Sequence, residues 1–273
     1  MLRRRLLVCA VTLLALTATG CTGAADRGKA EGEGEGARKA RVAVDPPRVG
    51  ECRVLEPTDV AEPSNESPAV DCEQPHSAET FLVDEFEGRT ARLAWDDPAL
   101  GEAVYDRCRP RWVRFVGADQ SLALRTLLDW AWFRPTEEQW EAGARWYRCD
   151  VVGATAESGQ LPALPFTAKG ALLGRPDDRW LACVDGERVN GAPWVPCTSP
   201  HTWRAVTTIV VDEEKARYPG DRFVEVVTRD FCRKSVLFWL DFPLDYEFGY
   251  TYFHRAEWER GNRRSICWAR TSQ

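Results

Sequence analysis

The chain has 273 residues, of which 44% are hydrophobic, 29% charged and 11% aromatic, with a formal net charge of −6 from 36 basic and 42 acidic side chains. That composition excludes a wholly disordered chain, and an acidic balance with no basic run in the body excludes nucleic acid as an ordinary partner. Three histidines leave little material for His-rich catalysis or metal sites, whereas ten cysteines and twelve tryptophans stand out.

Residues 1–20 read as a signal peptide. Arg3, Arg4 and Arg5 make a positive start, and residues 6–16 make an apolar run of secretory length, short for a transmembrane span. Ala18, Thr19 and Gly20 are small and stand directly before Cys21. This resembles a bacterial lipobox, with Ala18 where Leu is commonest. The resemblance implies cleavage before Cys21, lipidation of its thiol and a membrane anchor, since two or more acyl chains hold where one does not. A plain secretory signal and a retained helix are the other readings. Residues 21–47 then form a lipid-anchored tether in which Gly32, Gly34 and Gly36 alternate with glutamates, with too little apolar surface to fold.

Next comes a first module, residues 48–153. Residues 49–54 and the stretch around Val70 suggest two short strands, with Pro57, Pro63 and Pro68 in the loop between them. Residues 80–86 are a third strand. Asp97 followed by Pro98 reads as an N-cap with proline at the first helical position. Leu100, Val104 and Cys108 then share a helix face, and Pro110 is expected to end or kink that helix. Residues 127–133 form a Trp-rich strand. Thr136 and Gln139 make a capping box for a short helix stopped by Gly143, and residues 146–152 are the closing strand.

Residues 154–177, with Pro162, Pro165 and Pro176, are a linker or a segment docked across both modules. The second module, residues 178–273, repeats the order. Residues 179–184 and 195–197 form a strand pair, followed by a Thr/Val/Ile-rich strand at 203–211 and a helix from Asp221 or Arg222 to about Phe238. Another strand at 249–253, a turn of helix at 257–260 stopped by Gly261, and a closing strand at 264–270 complete it.

The repeat is explicit in the residues. Cys72-x-x-Pro75-His76 matches Cys197-x-x-Pro200-His201, Cys108 matches Cys232, and Cys52 matches Cys183. Trp140, Gly143, Arg145 and Cys149 match Trp258, Gly261, Arg263 and Cys267 at equal spacing. The fold class expected is therefore α+β: two tandem homologous modules stapled by disulfides, each a small, mainly antiparallel sheet with one main helix. Cys9 falls in the signal peptide, and the eight cysteines of the modules are even in number with no C-x-x-C, which favours disulfides over zinc or redox chemistry. Eight cysteines allow 105 pairings, and keeping bridges within each module leaves three for each. The element order makes Cys52–Cys72, Cys108–Cys149, Cys183–Cys197 and Cys232–Cys267 the economical set.

The stretches Val49-Gly50-Glu51-Cys52, Val70 to His76, and Pro135 to Cys149 resemble the septum formation domain family of actinobacterial membrane proteins and lipoproteins. The second copy departs from the pattern at Trp180-Leu-Ala-Cys183 and at Phe253-His254. The resemblance implies a cell-envelope role linked to division, with no catalytic residues.

Nucleophile elbows, zinc-protease, P-loop, EF-hand and haem motifs are absent from the sequence. His76 and His201 could touch a ligand or, with the cysteine before them, a metal; the simpler reading is a turn held by proline and histidine. Trp140 and Trp258 could stack on glycan or a partner, or fill cores, and Arg145 and Arg263 could stack on them. Asp96, Asp97, Asp177, Asp178, Glu213 and Glu214 could pair as glycan-cutting carboxylates, or serve as caps and loops. The expectation is a protein without enzymatic activity, cofactor or metal. It would be lipid-anchored on the outer face of the cytoplasmic membrane and bind a cell-wall or envelope protein. A peptidoglycan-binding module is the alternative, and a wall hydrolase a more distant one.

Overall fold

The computed structural model describes residues 45–153, 161–211 and 217–271. The expected signal peptide, Cys21 and nearly all of the expected tether lie outside these residues, as do residues 154–160. Among the described residues no helix is long and apolar enough to cross a membrane.

The first half contains β1 (Cys52–Arg53), α1 (Pro57–Ala61), β2 (Ala78–Glu85), α2 (Pro98–Val116), α3 (Gln120–Ala123), β3 (Leu128–Phe133), α4 (Glu137–Glu141) and β4 (Trp146–Gly153). Its sheet runs β1-β2-β4-β3, with every pair antiparallel. The second half contains β5 (Ala182–Val184), β6 (Trp194–Pro196), β7 (Trp203–Val210), α5 (Asp221–Trp239), β8 (Phe248–Thr251), α6 (Arg255–Glu259) and β9 (Arg264–Arg270). Its sheet runs β6-β5-β7-β9-β8, again antiparallel. The molecule is thus α+β, with two antiparallel sheets and one long helix packed on each.

The long helices follow from their residues. In α2 the Asp97 carboxylate accepts from the Ala99 N–H at 2.9 Å, and Leu100, Val104, Cys108, Trp112 and Val116 form a buried stripe at four-residue spacing. Pro110 does not end this helix. A proline in a helix interior costs about 3 kcal/mol, but the turns beyond it bury Trp112 and Val116, each worth roughly 1.5–3 kcal/mol. The helix stops instead at Gly117, which takes φ 78° and donates back to Val113 and Arg114. In α5 the stripe is Val224, Thr228, Cys232 and Val236. Helix α1 lies in the expected proline loop: Pro57 opens it, Glu56 and Asp59 form a capping box, and no residue of it is buried.

Four disulfides join Cys52–Cys72, Cys108–Cys149, Cys183–Cys197 and Cys232–Cys267. The second and fourth tie each long helix to its closing strand. The two sheets also share an irregularity. The register of β2 on β4 slips between Thr80 and Leu82, and that of β7 on β9 between Ala205 and Thr207. Leu82 and Thr207 lie opposite the bridged Cys149 and Cys267. The residues thrown out by these bulges are Phe81 and Val206, both buried.

Residues 161–177 form neither helix nor strand, and they dock on the first half as a strap. Leu164, Ala168 and Leu172 enter its core beside Phe81, Trp112 and Val116. Trp180 enters the same core from the far side of residue 178. Reciprocally, Leu124 packs on the second core, the cluster that holds Ala182, Val184 and Trp268. Across this seam Leu127 donates to Trp180 O at 2.8 Å and Ala182 to Arg125 O at 2.9 Å.

Candidate functional site

The two C-x-x-P-H turns fold alike. His76 and His201 are each 3% exposed, with Nδ1 at 2.8 Å from the carbonyl oxygens of Gln74 and Ser199 respectively. A carbonyl only accepts, so Nδ1 carries a proton in each. Both Nε2 atoms are buried without a partner among the described residues. The cysteine of each turn is bridged, which removes it as a thiolate ligand. Among the described residues no three His, Cys, Asp or Glu side chains group as a metal site.

Trp140 and Trp258 are also interior, at 6% and 4% exposed. The Arg145 guanidinium lies 4.1 Å from the Trp140 ring and that of Arg263 3.4 Å from the Trp258 ring. Each arginine then donates to the carbonyl of its tryptophan, at 2.8 and 2.5 Å. The aromatic face is thereby locked over the end of a one-turn helix, α4 or α6, whose start is closed by a capping box. Thr136 and Gln139 do this in α4, His254 and Glu257 in α6. Burial holds the Arg263 pKa below its ordinary value. The rings fill cores rather than line a sugar-binding strip.

A polar network lies inside the first sheet. Arg53 donates to Thr80 at 2.8 Å, Thr80 to Asp150 at 2.7 Å, and Arg148 to Asp150 at 2.9 Å and to Asn65 Oδ1 at 2.7 Å. Arg148 and Asp150 are 2% and 0% exposed, and burial lowers the Arg148 pKa against the opposing pull of Asp150.

A cleft of about 450 Å³ lies where the halves meet, lined by Arg125, Arg175, Asp178, His201, Arg204 and Trp239 among others. Arg204 is paired with Asp178 through both nitrogens of its fork. Among the described residues Arg125 makes hydrogen bonds only to backbone carbonyls, those of Ser121 at 3.3 Å and Ala205 at 3.4 Å. Its pKa is lowered, first by burial and further by the neighbouring Arg204, with Asp119 opposing. Thr271 Oγ1, on the same wall, is buried without a partner among the described residues. Val206 and Trp239 also line an apolar trough of about 680 Å³ with Phe231, Leu237, Phe238 and Phe242. Phe238 is 72% exposed, Phe242 62% and Trp239 46%.

Residues 49–267 match the family model described as septum formation. The chain belongs to the septum formation family. The match runs as one span through both halves and the strap between them, and membership points to a role in cell division or the cell envelope. No curated protein and no solved structure matches the chain.

In this septum formation protein the residues singled out from sequence do not converge. His76 and Trp140 lie in the first half, His201 and Trp258 in the second, and only His201 reaches the cleft. Asp178 does reach it, as the partner of Arg204. Arg125, Arg175 and Arg204 are far apart in sequence, and none belongs to a motif. The one signal that could have found Arg204 is the repeat itself. At the offset set by the two C-x-x-P-H turns, Arg204 stands where the first half has Glu79.

Proposed function

We propose that this septum formation protein is a lipid-anchored, extracytoplasmic envelope protein that acts by binding a partner rather than by catalysis. The observation that carries the reading is what the recurring side chains do. The cysteines are bridged, the histidines are tied to turn carbonyls, and the arginines lie on their tryptophans. Residues held in this way maintain a scaffold, and the surface is left for function.

Four disulfides suit an oxidising compartment. The lipobox-like run ending at Cys21 would hold the protein on the outer face of the cytoplasmic membrane, with the 21–47 tether as spacer. We read the two halves as tandem copies of one module, on the matching strand orders, bulges and bridges. A protein partner in wall or septum formation is favoured over peptidoglycan, because the recurring tryptophans Trp140 and Trp258 lie in the cores.

The test is a pull-down on purified sacculi beside crosslinking in intact membranes. The expected result is no retention on sacculi, no release of reducing sugar, and discrete crosslinks to envelope proteins. Disulfide-dependent retention on sacculi would replace the reading with a glycan-binding one, and sugar release would replace it with hydrolysis.

A further inference from the structure

In the first half the strap is held at four points. Leu164 N–H donates to His76 O at 2.9 Å, Ala168 N–H to the Glu79 carboxylate at 2.6 Å, Gly170 N–H to Phe115 O and Leu172 N–H to Val116 O, both at 2.8 Å. Thr167 adds its hydroxyl to Glu79 at 2.8 Å. The last two acceptors belong to the free C-terminal end of α2, and their occupation satisfies carbonyls that every helix leaves open.

The matching positions of the second half are His201, Arg204, Trp239 and Leu240. The register supports this equivalence independently of the sequence repeat. Glu79 lies between Cys52 and Val151, and Arg204 between Cys183 and Ala269. The helix ends agree as well. Ala118 donates to Val113 O and Phe242 to Leu237 O, and Asp241 takes a left-handed φ of 61° where the first half has Gly117 at 78°. Three of these four residues, His201, Arg204 and Trp239, line the cleft. Among the described residues no backbone N–H donates to the carbonyls of His201, Trp239 or Leu240.

We infer that the cleft and its trough are a docking groove for an extended acidic and apolar peptide segment of a partner protein, seated as residues 164–172 are seated on the first half. The apolar part of such a segment meets Val206, Trp239 and Phe238, as Leu164 and Leu172 meet the first core. Its charge follows from one exchange. Glu79 receives donors from the strap; Arg204 in the same place offers donors, and Arg125 and Arg175 beside it add positive charge, so that three guanidinium groups face two carboxylates, Asp178 on the cleft wall and Asp119 near Arg125. A carboxylate in the bound segment completes the balance, because a guanidinium held away from water beside another is stabilised most by a forked anion. The inference rests on the equivalence of the two halves, and its test is independent of sacculus binding and of the anchor.

The probes are two labelled peptides, the strap sequence 161–174 itself and the same peptide with Thr167→Glu, titrated against the full chain by fluorescence anisotropy. The Glu-bearing peptide is expected to bind at least about ten-fold more tightly than the unsubstituted one, a difference of about 1.4 kcal/mol. Arg204→Glu should reverse that order. Because Arg204→Glu also breaks the pair with Asp178, the exposed Arg175→Glu serves as a second variant. It should weaken the Glu-bearing peptide while leaving the melting temperature unchanged. Inorganic phosphate and phosphatidylglycerol vesicles are the remaining arms. Equal binding of both peptides, binding of neither, or Arg175-dependent binding of phosphate or vesicles without peptide binding would each overturn the inference.

Discussion

Asp150 and Trp268 hold the same place in the two sheets. Each follows the bridged cysteine of the closing strand, each is fully buried, and they lie opposite Thr80 and Ala205, the residues just before the bulges. The first sheet fills that place with a carboxylate bound by Thr80 and Arg148, the second with an indole whose N–H reaches Thr251 at 3.2 Å. Removing one partner of a buried pair strands the other charge, so Asp150→Leu and Arg148→Met alone should each cost about 3–5 kcal/mol. The double variant should cost less than their sum by about 1 kcal/mol or more. Urea denaturation of the four proteins in the cycle checks this, and strict additivity would mean that the two side chains do not depend on each other.

The disulfides should differ in worth. Cys108–Cys149 closes a separation of 41 residues and Cys183–Cys197 one of 14, and all four cysteines are buried. In chain-entropy terms each bridge contributes about 3–4 kcal/mol, the longer loop about 1 kcal/mol more. Paired Cys→Ala variants should therefore show the larger drop in stability for the helix-to-strand bridge. The opposite order would point to structure retained in the unfolded chain.

Arg204 sets the acid response of the cleft. Its hydrogen bonds, and then its charge, hold the Asp178 carboxyl below the ordinary carboxylate value. For a depressed carboxylate the stabilisation is complete above the unfolded pKa, about 4, and is lost as pH falls through the lower folded value. Asp178 is 45% exposed, so the pair is worth under about 1 kcal/mol. The stability gap between wild type and Asp178→Asn should thus be largest above about pH 5 and close towards about pH 2. Arg204→Gln should move the Asp178 titration, followed by NMR, up towards the ordinary range.

Much of the fold is legible in the sequence because its signals are local. Asp97 with Pro98, Thr136 with Gln139, and the β-branched run at 203–210 specify a cap, a capping box and a strand within a few residues. Pro110 misleads because its cost is local, whereas the burial of Trp112 and Val116 that outweighs it depends on a sheet formed elsewhere. The cleft is illegible for the same reason. Arg125 follows a short helix, Arg175 lies in the strap and Arg204 is in a strand, and only the packing of the halves brings them together. The strap shows the limit of composition: its prolines exclude helix and strand and leave a linker or a docked segment open, but they do not single out Leu164, Ala168 and Leu172 as core residues of the first half.

Trp180 decides whether the halves unfold as one. It follows the strap, yet it is 5% exposed inside the first core, and its carbonyl accepts from the Leu127 N–H and the Thr126 hydroxyl, the latter at 2.7 Å. Leu124 makes the reciprocal contact on the second core. Exchange of side chains across a boundary couples the stabilities of the two sides, so wild-type protein should melt in one calorimetric transition with matching van't Hoff and measured enthalpies. Trp180→Ala should cost about 3–5 kcal/mol, and the loss should fall mainly on the first half, splitting the transition in two. A variant that still melts in one step, merely at lower temperature, would mean that the strap and the backbone bonds at Thr126 and Leu127 carry the coupling without the indole.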